Sequence, residues 1–280
     1  MLKFYKKIEL HDNEHELIGD LVYSKFGIVL DSKKKNLIIG RLQKIINDLD
    51  LNSFKEYYDL IVGDKSGNML LELVDKLSTN HTYFFRELDH FKILETNVIP
   101  DLLQKYKNEP LRIWSSAVSS GEEIYTLKIV LNELYEKKYL TPNYLLLGTD
   151  ISTTALSKAV SANYDGENII RVPSYLLNKY FTKEKDNSWT FKEKHRNGIT
   201  LKRLNLMDQD FPFKNKFHII FCRNVMIYFD ESTKNDLIRK FSRFLVPGGY
   251  LFVGMSESIG QKSKYFKYFK PSVYLNSPEK

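Results

Sequence analysis

The first 76 residues carry apolar side chains at the spacing of amphipathic helices. One helix begins near Asp31 or Ser32, either of which can cap it, and its apolar face is formed by Ile38, Leu42, Ile45, Ile46 and Leu49. Further helices are predicted at about 53–61 and 69–77, on either side of a turn-rich stretch at residues 63–68. The pattern predicts a small all-helical domain over residues 1–76.

From about residue 111 short apolar strands alternate with helical stretches. The predicted strands are Leu111–Ser115, Tyr144–Leu147, Ile199–Leu204, Phe217–Phe221 and Tyr250–Gly254, and the predicted helices are at about 122–138, 152–161 and 231–245. This alternation favours a mostly parallel, doubly wound α/β sheet within residues 77–280. Residues 165–198 fit it poorly. There Trp189–Lys194 alternates and Asn197-Gly198 is a strong hairpin signal, which predicts a small antiparallel insertion.

Composition places the chain among cytoplasmic proteins and leaves its partner open. It has 280 residues, 42% of them hydrophobic, and one cysteine, Cys222, which fits a reducing compartment. Residues 1–7 lack the apolar segment of a signal peptide, and no stretch approaches the roughly 20 apolar residues of a membrane span. The net charge of +7 suggests an acidic partner: nucleic acid, an anionic membrane surface or an acidic protein. A compositional bias toward lysine explains the charge equally well.

Polar residues stand where predicted strands end. Arg223 and Asn224 follow the run Phe217–Phe221, and Tyr228 comes four residues later. In an open α/β sheet, ligands bind at the carboxyl ends of strands. Asp150 ends the second predicted strand, where an acidic residue typically accepts hydrogen bonds from ribose hydroxyls. The alternative for Asp150 is a helix N-cap, and both roles are compatible.

Three further segments offer groups for a small molecule. Small residues after Trp114 form a tight loop that ends in Glu122 and Glu123, and two carboxylates at a helix N-terminus suit a cation better than a phosphate. The alternative is that these two carboxylates only complement the helix dipole. Residues 79–86, if they form a helical turn, direct three polar side chains into one pocket: Asn80, Thr82 and Arg86. Asn205 and the backbone near Leu206 could read the edge of an adenine; an ordinary turn or helix start is the alternative for both segments.

Taken together, these segments resemble the CheR-type chemotaxis receptor methyltransferases over nearly the whole chain. The matching segments are residues 79–86, 117–123, 149–151, 221–229 and 247–251. One departure is Ile124, where the family usually has Pro; Pro is tolerated but not required in a first helical turn. The resemblance implies a Rossmann-like methyltransferase sheet behind a helical N-terminal domain. It also implies methyl transfer from S-adenosylmethionine to glutamate carboxylates of chemoreceptors, leaving S-adenosylhomocysteine.

The resemblance also implies roles for individual residues. Arg86 and Tyr228 would be the catalytic residues nearest the transferring methyl group, Asp150 would hold the ribose, and no metal is expected. The remaining cofactor contacts would come from Asn80, Thr82, Arg86, one or both of Glu122 and Glu123, Asn205, Leu206, Arg223 and Asn224. Because a glutamate acceptor is ionised at neutral pH, no general base is needed.

The same resemblance implies a binding partner for the basic residues. The methylated receptor helices are Glu-rich, so we expect them to dock on a basic helical face made by Lys33, Lys34, Arg41 and Lys44. In some family members a subdomain like the one at 165–198 binds a peptide at the receptor C-terminus. We expect a monomer that binds no nucleic acid, since the fourth strand lacks a base-flipping Asn/Asp-Pro-Pro-Tyr/Phe motif. The alternatives are a methyltransferase for another protein, nucleic acid or small molecule, and a non-enzymatic cofactor-sensing module.

Overall fold

The computed structural model describes residues 5–78, 80–107, 109–137, 144–260 and 263–277. The α-helices are α1 (Asp12–Phe26), α2 (Lys35–Asp48), α3 (Phe54–Gly63), α4 (Asn68–Leu77), α5 (Leu88–Ile93), α6 (Ile99–Lys105), α7 (Glu122–Glu136), α8 (Thr153–Ser161), α9 (Gly166–Ile169), α10 (Ser174–Tyr180) and α11 (Glu231–Phe244). The strands are β1 (Leu111–Ser115), β2 (Tyr144–Asp150), β3 (Asn163–Tyr164), β4 (Phe181–Lys183), β5 (Trp189–Phe191), β6 (Ile199–Arg203), β7 (Phe217–Cys222), β8 (Leu245–Val253), β9 (Phe266–Lys270) and β10 (Val273–Asn276). Within these residues no helix combines the length and apolar character needed to cross a bilayer.

Helices α1 to α4 form a small bundle at the N-terminus. Their apolar stripes meet in one core that includes Ile18, Val22, Leu42, Ile46 and Leu73, all fully buried. The Ser53 side chain caps α3 by accepting a hydrogen bond from the amide of Glu56 at 3.1 Å. The helices predicted from the amphipathic periodicity are therefore present in the structure, and α1 precedes them.

The C-terminal part of the chain is built on a seven-stranded sheet in the order β6-β2-β1-β7-β8-β10-β9. The first five strands of that order pair in parallel, and β10 and β9 are antiparallel. Strand β7 is buried along its whole length, as expected for a central strand covered on both faces. The chain order reverses between β1 and β7, which makes this pair the topological switch point. The predicted doubly wound α/β sheet is confirmed.

Two details of the sheet differ from expectation. Asn197-Gly198 does not form a hairpin, because Gly198 leads into β6, which pairs in parallel with β2. The insertion hairpin instead joins β4 to β5, with Asn187 in the left-handed region at φ 65°, and β3 completes a three-stranded antiparallel sheet. The edge strands β9 and β10 were not predicted. Most residues of β9 are exposed, so its hydrophobic signal is weak.

The end of α1 packs against the part of the chain that contains the seven-stranded sheet. Gly27 has φ 69°, and a Cβ there would lie 2.5 Å from the Met207 sulfur and 2.9 Å from Thr233 Cγ2. Three hydrogen bonds reinforce this close approach: Tyr23 hydroxyl to Asp230 at 2.7 Å, Asn205 Nδ2 to the Lys25 carbonyl at 2.8 Å, and Val29 N–H to the Tyr228 carbonyl at 2.9 Å. The segment after α1 thus forms a wall against the carboxyl end of the sheet.

Candidate functional site

A cleft of about 1000 Å³, part of it open to solvent, lies over the carboxyl ends of the central strands at the switch point. Phe26, the last residue of α1, and Ile28, two residues beyond it, close one side. Ten of the residues predicted from the sequence line it: Asn80, Thr82, Arg86, Glu123, Asp150, Asn205, Leu206, Arg223, Asn224 and Tyr228. Thr79, the first residue of the predicted segment 79–86, lies outside the described residues.

Glu122 is the predicted site residue that does not line the cleft. Its side chain is 0% exposed and accepts hydrogen bonds from Asn168 Nδ2 at 2.8 Å and from the Ser120 hydroxyl at 2.7 Å. It therefore faces the antiparallel insertion. Successive residues of a helix point about 100° apart, so α7 can direct only one of the two glutamates into the cleft. Of the two glutamates, Glu123 lines the cleft.

Asp150 is fixed by backbone amides at the end of β2. It is buried, and its two oxygens accept hydrogen bonds from Ser119 N–H at 2.7 Å and Ser152 N–H at 2.9 Å. Burial raises the pKa of Asp150, although these amides oppose the shift. Capping of α8 falls to Ser152, which accepts from the amide of Ala155 at 3.0 Å. Each carboxylate oxygen of Asp150 keeps a second lone pair for a ligand hydroxyl.

An ionic cluster forms the floor of the cleft. The side chain of Arg223 is only 2% exposed; its Nε lies 3.3 Å from Glu87 and its Nη1 lies 3.2 Å from Glu123. Arg223 also donates to the Arg86 carbonyl. Burial disfavours the charge of Glu87, yet Arg223 and the Asn224 amide outweigh burial and hold the pKa of Glu87 below its usual value. Burial raises the pKa of Glu123, against the opposing effects of Arg223 and a 2.7 Å hydrogen bond from Ser115.

Asn224 is held in a strained turn immediately after β7. It has φ 59°, its N–H donates to Glu257 at 2.8 Å, and its Nδ2 donates to Glu87 at 3.2 Å. A Cβ on Gly254 would lie 2.7 Å from both Asn224 Nδ2 and Glu257 Oε2, so this position requires glycine. Residues in the left-handed region that are not glycine cost energy and often occur at functional sites.

The segment before the sheet is a turn and not the helical turn that was expected. Residues 80–83 have no regular structure, and a turn at 84–87 places Phe85 at φ 58° and Glu87 at φ 56°. Even so, Asn80, Thr82 and Arg86 line one cleft. Arg86 donates to the His81 carbonyl at 2.7 Å and has no carboxylate in ion-pair range among the described residues.

Asn205 and Tyr228 connect the cleft to the N-terminal bundle. Asn205 donates to the Lys25 carbonyl and accepts from Met207 N–H at 3.0 Å, so its amide group already has a partner on each side. The carbonyl of Tyr228 accepts from Val29, and the Lys34 ammonium lies 5.9 Å from the Tyr228 ring centroid. The Tyr228 hydroxyl has no hydrogen bond within the described part of the chain.

Glu87 and Glu257 are site residues that the sequence reasoning missed. Glu87 directly follows Arg86, and Glu257 follows β8, but their partners at Arg223 and Asn224 are 136 and 33 residues away. Two carboxylates, Glu123 and Asp150, line the cleft, and Glu87 and Glu257 bind residues of its lining. Of the two lining guanidinium groups, that of Arg223 is paired with two carboxylates, whereas that of Arg86 has no carboxylate in ion-pair range among the described residues. Ser116 adds a buried hydroxyl beside the Cys222 thiol. Such a site suits a cationic nucleoside with hydroxyl and amino groups.

Comparisons with known proteins identify the family. Residues 13–78 match the all-alpha domain of the CheR methyltransferases, and residues 80–275 match their SAM-binding domain. The chain is 41% identical over 275 residues to a chemotaxis protein methyltransferase of Borreliella burgdorferi, covering 97% of each chain. It is 35% identical to a probable chemotaxis protein methyltransferase of Rhizobium etli, covering 88% of this chain and 92% of the relative. The Escherichia coli chemotaxis protein methyltransferase is 29% identical over 282 residues, covering 100% of this chain and 96% of the relative. The resemblance seen in the motifs is confirmed, and this chain belongs to the CheR methyltransferase family.

Proposed function

We propose that this protein transfers a methyl group from S-adenosylmethionine to glutamate side chains of chemoreceptors, giving glutamate methyl esters and S-adenosylhomocysteine. Family membership supports the reaction class. The observation that carries the acceptor is Arg86, the cleft-lining guanidinium that has no carboxylate partner in the described residues. It lies beside a cluster in which Arg223 is already paired twice, so an incoming carboxylate would meet an available cation.

The residues of the cleft fit the methyl donor. When bound, S-adenosylmethionine supplies an electrophilic methyl group on a positively charged sulfur. Asp150 would accept hydrogen bonds from ribose hydroxyls, and the buried Ser116 hydroxyl would offer one further polar contact. The carboxylates of Glu87 and Glu123 would favour a cationic ligand over an anionic one. We assign Arg223 and Asn224 to positioning these carboxylates and to bordering the ligand.

The acceptor side needs orientation more than proton transfer. A glutamate has a reference pKa of about 4.3 and is already a nucleophile at neutral pH. Arg86 would hold one carboxylate oxygen while the other attacks, and the Tyr228 hydroxyl would border the transferring methyl. Orienting two reactants in this way supplies a large part of a rate enhancement. Phe26, Ile28 and Phe229 give the cleft an apolar side that excludes water.

The basic helical face would dock the acceptor. Lys33, Arg41 and Lys44 are exposed, whereas Lys34 is half-buried and lies over the Tyr228 ring. The face therefore adjoins the cleft. We expect Lys33, Arg41 and Lys44 reversed together to glutamate to raise the KM for receptor at low salt without weakening S-adenosylhomocysteine binding. Unchanged receptor methylation would contradict this role.

We further propose a monomer located in the cytoplasm, with a domain boundary near residue 77.

Incubation with tritiated S-adenosylmethionine and receptor-bearing membranes tests the proposed reaction. The expected product is base-labile label on the receptor, because methyl esters hydrolyse in base. Arg86→Met should abolish labelling, and Arg239→Gln, which removes an exposed arginine from α11, should not. Label in added RNA, or base-stable label on protein, would overturn the proposal.

A further inference from the structure

Arg171 lies on the insertion, between α9 and α10, yet its guanidinium reaches the segment that carries Arg86. The Cζ atom of Arg171 is 3.9 Å from the centroid of the Tyr83 ring, well inside the roughly 6 Å limit of a cation–π contact. The Cζ atom of Arg86 is 5.8 Å from the same centroid. The two guanidinium carbons are therefore no more than about 10 Å apart.

Neither guanidinium has a carboxylate within ion-pair distance among the described residues, although Arg86 is close enough to Glu123 to oppose the rise in the pKa of that carboxyl group. Arg171 is exposed and, in the described ranges, has no ion pair or hydrogen bond to another residue. Arg86 has one hydrogen bond, to the His81 carbonyl. Two other arginines of this half are engaged: Arg196 donates to three backbone carbonyls, and Arg112 pairs with Glu109 at 2.8 Å. Two neighbouring guanidinium groups without an ion pair in the described ranges can bind anionic side chains of a partner.

Stacking suits Arg171 to recognition. A guanidinium held flat on an aromatic ring keeps its N–H donors at its edges, where they can form a forked pair with a carboxylate. Ile170, next to Arg171, is 81% exposed, and Tyr175 is also exposed. The surface beside the cleft thus offers one oriented cation and adjacent apolar side chains. An amphipathic acidic helix has the matching chemistry.

We propose that Arg171 is a specificity residue that binds a second acidic side chain of the acceptor helix, one or two turns from the glutamate being methylated. This inference rests on the proposed function. Residues three or four apart on a helix have Cβ atoms about 5–6 Å apart, and seven residues rise about 10 Å. With the acceptor carboxylate at Arg86, the guanidinium of Arg171 reaches a carboxylate at one of these spacings.

The test is steady-state methyl transfer to a purified cytoplasmic fragment of a chemoreceptor from the same organism, with a single acceptor glutamate. Arg171→Gln should raise the KM for the fragment about tenfold, with kcat and S-adenosylhomocysteine affinity unchanged, because Arg171 does not line the cleft. Arg171→Lys keeps the charge but loses the two parallel N–H donors of a guanidinium, so its KM should lie between those of the wild type and Arg171→Gln. Arg239→Gln is the matched control, since it removes the same charge from α11.

Substituting Gln for acidic residues of the fragment locates the contact. Replacement at one position three, four or seven residues from the acceptor should raise the KM of the wild-type enzyme and have no further effect on Arg171→Gln. An equal KM for Arg171→Gln and Arg239→Gln, a loss of S-adenosylhomocysteine affinity, or additive effects at every position would overturn the inference. If wild-type enzyme leaves the fragment unlabelled, the proposed function itself fails.

Discussion

Arg223→Met should lower the free energy of unfolding, because it removes the cation that pairs with the carboxylates beneath the cleft. Arg223 is almost fully buried, and Glu87 and Glu123 are about 15% exposed. Removing one partner from a buried ion pair costs about 3–5 kcal/mol, because a charge remains without compensation. We expect a loss near that range in the free energy of unfolding. For a chain of this size, it corresponds to a fall in Tm of about 10 °C.

The pH dependence identifies the cause. In the wild type the pKa of Glu87 is lowered, so its contribution to stability is present above the unfolded pKa and is lost as pH falls through the folded value. Without Arg223, burial and mutual repulsion raise the pKa of both carboxyl groups. Their destabilising effect then grows as pH rises and fades as they become protonated. The deficit of Arg223→Met should therefore be larger at pH 8 than at pH 5.

Urea unfolding followed by circular dichroism at both pH values measures the deficit. Arg239→Gln is the control, because its exposed ion pair with Asp236 should change stability by less than about 0.5 kcal/mol. Adding Glu87→Gln and Glu123→Gln to Arg223→Met should restore much of the loss. A deficit below about 1 kcal/mol, or an equal deficit at pH 5 and pH 8, would refute the reasoning.

Three further outcomes are expected. Tyr228→Phe should lower kcat more than S-adenosylhomocysteine affinity, and Asn224→Ala should mainly weaken affinity in isothermal titration; equal losses of affinity would contradict this division. Gly254→Ala should weaken affinity about tenfold, because its Cβ would displace Asn224 or Glu257, and unaltered titration curves would show that the turn adapts. Burial, assisted by Arg223, lowers the pKa of His90 to about 4, so wild-type stability should fall between about pH 6.5 and 4, while His90→Leu should flatten that slope in urea titrations.

The strands of the central sheet could be predicted because a buried parallel strand is a short, nearly continuous apolar run. β1 begins and ends at the predicted residues, and β7 differs by one. Asp150 and Arg223 could be placed at the site because carboxyl ends of parallel strands meet at one edge. These inferences need only local pattern and topology.

Other features depend on contacts between distant residues. The Asn197-Gly198 signal favours a local turn, but pairing of β6 with β2 determines the structure there. The choice of Glu123 over Glu122 follows from the rotation of α7 against the insertion, which a sequence does not show. Glu87 became recognisable only through Arg223, 136 residues later. Local patterns predict the frame of this site, whereas long-range pairing determines which carboxylates it contains.

The contacts between the end of α1 and the cleft wall couple the packing of the helical bundle to ligand binding in the cleft. The helical bundle contacts the wall of the cleft through Phe26, Gly27 and Val29. Opening of that interface would expose a ligand bound in the cleft to solvent. A ligand bound there at 100 times its dissociation constant would add about 2.7 kcal/mol to the closed form. The free energy of unfolding would then rise with the concentration of methyl donor. Removing the donor would weaken the packing of the bundle as well as stop the reaction.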